Sequence, residues 1–159
     1  MAETRHHSIE QGKTMPNNEP LNPNFKDALL NRLPGRMAFW QLLGIEFVDV
    51  GRGWAKMHMP FAEKLTNSAG ISHGGALFTL ADSAGSMALV SMAAKGEVVT
   101  TVEMKINFLK PFDGGNVMAE ASILHCGKTT ALGEIDLKIE NGDLIAKATA
   151  TFLRKRSQH

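Results

Sequence analysis

His73-Gly-Gly-Ala-Leu-Phe-Thr-Leu-Ala-Asp82-Ser-Ala-Gly-Ser-Met-Ala-Leu-Val-Ser-Met-Ala-Ala94 is the stretch that decides the fold. From Gly74 to Ala94 it reads as one long helix, closed by Lys95-Gly96. The helix is apolar on almost every side, so most of its circumference has to be buried. Gly85 leaves room for a close neighbour on one side. Asp82 and the serines interrupt the run too often for a membrane span, which needs about 20 apolar residues.

Downstream of this helix the chain reads as strand after strand. Val98 to Leu109, Asn116 to Cys126, Thr129 to Ile139 and Leu144 to Leu153 all alternate polar and apolar residues. Asp113-Gly114-Gly115, Gly127-Lys128 and Asn141-Gly142 separate them, and Asn-Gly is a strong hairpin signal. Before the helix, Ile45 to Val50 and Trp54 to Pro60 read as a hairpin turning at Gly51-Arg52-Gly53, and Phe61 to Ser72 reads as a loop. Further upstream, Phe25 to Arg32 and Met37 to Leu43 read as short helices split by Pro34-Gly35. Residues 1–24 are polar and read as a mobile tail, which leaves one domain over 25–159. The order is α+β: a hairpin, a long apolar helix, and an antiparallel meander of about four strands wrapped around that helix.

Asp82 breaks the pattern of the helix. A carboxylate buried without partners costs several kcal/mol, so it has to be paired, open to a cleft, or both. Thr79, Asp82, Ser83 and Ser86 recur at steps of three and four and read as one polar stripe. Such a stripe suits a helix that lines an active site, and equally a carboxylate satisfied by neighbouring hydroxyls. The helix opens on His73-Gly74-Gly75. Its first backbone N–H groups have no internal partner, and glycine lets a ligand oxygen approach them. That is how main chain builds an oxyanion hole, although two glycines also simply permit a tight turn.

The segment Asn67-Ser-Ala-Gly-Ile-Ser-His73-Gly74-Gly75-Ala-Leu-Phe-Thr-Leu80-Ala81-Asp82 resembles the PaaI-type hotdog-fold acyl-CoA thioesterases, as does Thr101-Val-Glu-Met-Lys-Ile-Asn-Phe-Leu-Lys-Pro111. His73 follows Asn67 by six residues, and Asp82 follows His73 by nine. The resemblance implies a long helix wrapped by an antiparallel sheet. It also implies a homodimer or homotetramer with active sites at the subunit interface, and no metal or organic cofactor. Carried over residue by residue, it implies that the Gly74 N–H binds the thioester oxygen while His73 polarises or orients that carbonyl. Asn67 is then expected to hold His73 or the attacking water. Asp82 is expected to act as general base, or as a nucleophile forming an anhydride. Thr101 is expected to orient the water, and Ser86 stands where another hotdog branch carries a hydroxyl. The expected reaction is hydrolysis of an aryl- or fatty-acyl-CoA. The alternatives are a hotdog protein that binds acyl-CoA without turning it over, and a hydratase or dehydratase, whose motifs are not found here.

The rest of the chain narrows the field. It has 159 residues, 43% of them apolar, with 17 Lys plus Arg against 16 Asp plus Glu. That balance gives no basic footprint for nucleic acid. Cys126 is the single cysteine, so no internal disulfide is expected, and no apolar signal segment opens the sequence. A cytoplasmic protein is the expectation. Gly70-Ile-Ser72-His-Gly74 matches the nucleophile-elbow pattern, but a polar loop stands where that motif needs a strand. His125 and Cys126 read as a surface histidine beside a core cysteine, and His6-His7 as solvated tail residues. Arg154-Lys155-Arg156 reads as a solvated tail, or as a contact for CoA phosphates. Trp40 and Trp54 either close a pocket or pack in the core.

Overall fold

A computed structural model describes residues 20–156. The His6-His7 pair and most of the segment expected to be mobile lie outside the described residues. The first helix, α1 (Pro23–Asp27), starts two residues earlier than the sequence pattern places it. Asn22 explains this: its side-chain oxygen accepts from the Asn24 and Phe25 amides, and Pro23 occupies the first helical position. The chain continues through a wider π-type turn, Ala28–Arg32, and a 3₁₀ turn, Pro34–Arg36. Next comes α2 (Ala38–Leu43), which stops at Gly44 in the left-handed region with φ 72°.

The hairpin is β1 (Glu46–Gly51) and β2 (Trp54–Pro60). The long helix, α3, runs Gly74–Val90, then β3 (Glu97–Phe108), β4 (Asn116–Cys126), β5 (Thr130–Ile139) and β6 (Leu144–Arg156) complete the sheet. The helix ends four residues short of the expected Ala94. The Ser91 hydroxyl donates to the Ala88 carbonyl at 2.6 Å and accepts the Gly53 N–H from the β1–β2 turn at 2.8 Å, which ties the helix end to the hairpin.

Six antiparallel strands form one sheet in the order β1-β2-β4-β5-β6-β3. The expected four-strand meander is therefore only β4-β5-β6. The first strand after the helix, β3, pairs with the last strand and occupies the far edge. Alternation fixes which face of a strand is buried, but it does not fix the neighbour. The helix separates β2 from β3 in the chain and lies across β2, β3, β4 and β5, so the sheet curls around it.

Leu77, Leu80, Ala81, Ala84, Ala88 and Leu89 of α3 are buried against Met57, Met59, Val117, Ile135, Leu137 and Phe152 of the sheet. A fully buried large apolar side chain contributes about 1.5–3 kcal/mol. Gly85 sits at the closest approach of helix and sheet, where an added Cβ would lie 2.8 Å from Phe152 Cζ and 3.3 Å from Ile135 Cδ1. Phe152 is itself fully buried and has nowhere to retreat. Gly85→Val is thus expected to destabilise the fold by about 1–3 kcal/mol through overpacking. The loss would appear as a lower denaturant midpoint at unchanged slope.

Two side-chain assignments change. Trp40 is buried, and its Nε1–H donates to Ser83 Oγ at 2.9 Å, so α2 is pinned to α3 and Ser83 faces the core. A step of one residue turns a helix by 100°, which takes Ser83 off the stripe that holds Asp82. The basic cluster is not a tail. Residues 154–156 extend β6, and Arg154 forms a 2.6 Å ion pair with Glu97 while donating to Cys126 Sγ at 2.8 Å. The Glu97 carboxyl also accepts the Ala94 N–H, and this bond together with the guanidinium holds it below the usual carboxylate range. Lys155 and Arg156 remain exposed. Among the described residues, no helix is long and apolar enough to cross a membrane.

Candidate active site

The outer stripe of α3 carries Gly74, Gly75, Phe78, Thr79, Asp82, Ser86 and Val90, the positions left at least partly open when the rest of the helix is buried. Asp82 lies near its middle. Thr101 reaches it from β3 and donates its hydroxyl proton to Asp82 Oδ1 at 2.7 Å. A shift of register between Thr101 and Glu103 inserts Val102 as a bulge beside this contact. Bulges locally re-aim the bulged strand, and they gather near active sites. Ser86 Oγ lies 3.4 Å from Thr101 Oγ1. The single Thr101 proton is committed to Asp82, so Ser86 is the donor in that second contact. The result is a hydroxyl chain running from Ser86 through Thr101 to Asp82. It fixes the carboxylate by Oδ1 and leaves Oδ2 without a protein partner among the described residues. Thr101 therefore grips the carboxylate directly, where the resemblance suggested that it orients water.

A second group gathers at the start of α3. His73 is its N-cap, and the ring Nδ1 accepts the Gly75 N–H at 2.9 Å. A neutral imidazole that accepts at Nδ1 carries its proton on Nε2, so His73 presents an outward N–H. The Gly74 N–H, first in the helix, makes no hydrogen bond among the described residues. Asn67 does not bond His73. Its Oδ1 instead accepts the Ala69 N–H at 2.9 Å, closing a turn in the loop that carries His73. The loop is pinned further by Ser72 N–H to Phe112 O and His73 N–H to Leu65 O, both 2.7 Å.

A cleft of about 370 Å³ opens beside Gly74, bordered by Asn67, Ile71, Leu77, Phe108 and Phe112 among others. Phe108 lies against the glycine, close enough that a Cβ on Gly74 would stand 3.1 Å from its Cζ. The sequence alone does not reveal this wall, because an apolar residue at the end of an alternating strand carries no sign of ligand contact.

Six expected site residues thus fall into two groups: Asp82, Thr101 and Ser86 in one, Asn67, His73 and Gly74 in the other. Asp82 lies eight residues after Gly74 on one helix, a rise of about 12 Å. Reacting atoms have to come within about 3–3.5 Å of each other, and oxyanion donors within about 3 Å. A thioester held at Gly74 therefore lies about two helical turns from Asp82 of the same chain.

The thioesterase superfamily profile matches residues 69–146, the span from the loop before His73 into β6. A Saccharolobus solfataricus protein, named only provisionally as an esterase, is 35% identical over 136 residues, covering 86% of this chain and 90% of its own. The 1,4-dihydroxy-2-naphthoyl-CoA hydrolase of Listeria monocytogenes is 30% identical over 122 residues, covering 77% and 99%. Among solved structures, the PaaI protein of the Escherichia coli phenylacetic acid degradation operon superposes with a TM-score of 0.75 at 26% identity, covering 84% of this chain and 96% of its own. The helix wrapped by a six-stranded antiparallel sheet, the His-Gly-Gly helix start and these likenesses agree: the chain belongs to the thioesterase superfamily, as a PaaI-like hotdog protein.

Proposed function

We propose that this protein hydrolyses acyl-CoA thioesters to the free acid and CoA, with each active site built from two copies of the chain. The observation that carries this reading is the 2.7 Å bond from Thr101 to Asp82 Oδ1. It holds a carboxylate with one oxygen free on the open face of an otherwise buried helix. Separation of Asp82 from Gly74 within one chain supports the second copy. So does β3, a 12-residue edge strand with one side unpaired. Val102 and Phe108 on it are 60% and 51% exposed. A long, unpaired edge that carries exposed apolar side chains is a template for another strand. Pairing β3 with its symmetry mate makes a two-fold homodimer and brings Asp82 of one copy toward the His73-Gly74 end of the other. Two such dimers would make a homotetramer.

In this site the thioester oxygen accepts from the Gly74 N–H and His73 Nε2–H of one copy. Asp82 Oδ2 of the other takes a proton from water as the water oxygen bonds to the carbonyl carbon. The tetrahedral oxyanion then collapses, the C–S bond breaks, and the proton passes to the departing CoA sulfur. Asn67 keeps its amide group on the cleft while its oxygen shapes the loop. General-base help is worth about 10²–10⁴-fold. The relative named as a naphthoyl-CoA hydrolase supports CoA thioesters as the substrate class.

Release of CoA from phenylacetyl-, benzoyl-, hexanoyl- and palmitoyl-CoA tests the proposal. Turnover of at least one supports it and names the acyl class. Binding of all four without release of CoA replaces it with the acyl-CoA-binding reading. Thr101→Val is expected to lower kcat by about 10–10²-fold, because a hydrogen bond to a charged group is worth about 1.5–3 kcal/mol. Thr101→Ser is expected to restore most of the loss. Equal activity of the valine variant would show that the hydroxyl chain has no part in the reaction.

A further inference from the structure

Asp82 divides the open stripe of α3 into two unlike halves. On the C-terminal side are the hydroxyls of Ser86 and Thr101, already engaged with one another and with Asp82. On the N-terminal side is Phe78, one turn before Asp82 and 38% exposed. Residues four apart on a helix are neighbours, with Cβ atoms about 5–6 Å apart. Helical side chains lean toward the N-terminus, so the Asp82 carboxylate leans over the turn that holds Phe78. Thr79 does not make this ground polar, because its hydroxyl turns back to the Gly75 carbonyl at 2.9 Å and leaves only its methyl group outward. Beyond Phe78 the helix starts at Gly74 and Gly75, against which the rings of Phe108 and His73 pack. Phe78 stacks on no other aromatic ring among the described residues.

We infer that Phe78 is the acyl-selecting residue of the site and that it favours apolar acyl groups bulkier than acetyl. The inference rests on the acyl-CoA reading above. A carbonyl carbon held at Asp82 has two directions for its substituents along α3. On the hydroxyl half, Ser86 and Thr101 stand next to Asp82, and the next open apolar side chain of the helix, Val90, lies about two turns away. The Phe78 half offers a partly exposed ring and the outward methyl group of Thr79 within one turn of the carboxylate. An aryl or medium-chain alkyl group laid there loses water from its own surface and from the ring together. An acetyl group is too short to reach it.

The test measures kcat/KM for acetyl-, hexanoyl- and phenylacetyl-CoA in wild type, Phe78→Ala and Phe78→Leu, with sedimentation to follow assembly. The expected result is a fall of at least about 10-fold in the phenylacetyl-to-acetyl ratio for Phe78→Ala, the scale on which apolar pockets discriminate. Phe78→Leu is expected to give a smaller fall, and it stands in should the alanine variant fail to fold. A ratio that stays constant in a folded variant overturns the inference while wild-type turnover leaves the acyl-CoA reading standing. Dissociation of the variant with equal loss on all three substrates also overturns it, by making Phe78 an assembly contact. No wild-type turnover of any thioester removes both.

Discussion

Asp82→Asn lowers the rate of CoA release by at least about 10²-fold, with little change in fold or assembly. Asparagine has the shape of aspartate and still accepts the Thr101 hydroxyl through its amide oxygen, so the 2.7 Å contact survives. What is lost is the basic oxygen. In its place stands an NH₂ group that cannot take a proton from water. Asp82 is half-buried and forms no ion pair among the described residues, so the change leaves no opposite charge stranded. The variant is therefore expected to melt with the wild type. The measurement is single-turnover CoA release on the best substrate, beside a thermal scan. A rate within a few-fold of wild type would remove Asp82 from the chemistry.

Gly74→Pro is expected to cost about 10²–10³-fold in kcat, the scale for loss of one oxyanion donor. Proline deletes the N–H that is proposed to hold the thioester oxygen. The fold should tolerate it, because proline is favoured at the first position of a helix. His73, just before it, already has the extended backbone (φ −63°, ψ 133°) that a residue preceding proline prefers. The nearest atoms to an added Cβ all belong to Phe108, which is half exposed. Gly74→Ala is the control, since it adds bulk near Phe108 but keeps the N–H. An alanine variant as slow as the proline variant would assign the loss to crowding rather than to the missing donor.

Most of the architecture was legible because burial imposes period. The all-round apolar character of α3 announced a wrapped helix, and the alternation in β3 to β6 announced the sheet. Asp82 stood out because a carboxylate on such a helix needs a reason. Strand order was not legible: nothing in Val98 to Phe108 says that its partner is β6 rather than β4. Ser83 was misplaced because spacing alone put it on the Asp82 stripe, while the buried Trp40 that claims it lies 43 residues away. Asn67 was expected to hold His73 or the attacking water; it makes no bond to His73, because asparagine often closes a turn with its own oxygen, and here it does. Arg154 looked like a tail residue because its partners, Glu97 and Cys126, come from strands that only the fold brings together.

The measurement that bears most directly on a site shared between two copies is complementation between two crippled chains. Asp82→Asn and Gly74→Pro chains carrying different tags are co-expressed, and the doubly tagged heterodimers are isolated. If Asp82 and Gly74 of one site come from different copies, each heterodimer holds one site with both lesions and one with neither. A randomly mixed population, half of it heterodimers with one good site in two, then shows about a quarter of wild-type activity although each parent is nearly inactive. Heterodimers as inactive as their parents would mean that both groups of a site belong to the same chain, and would contradict the account.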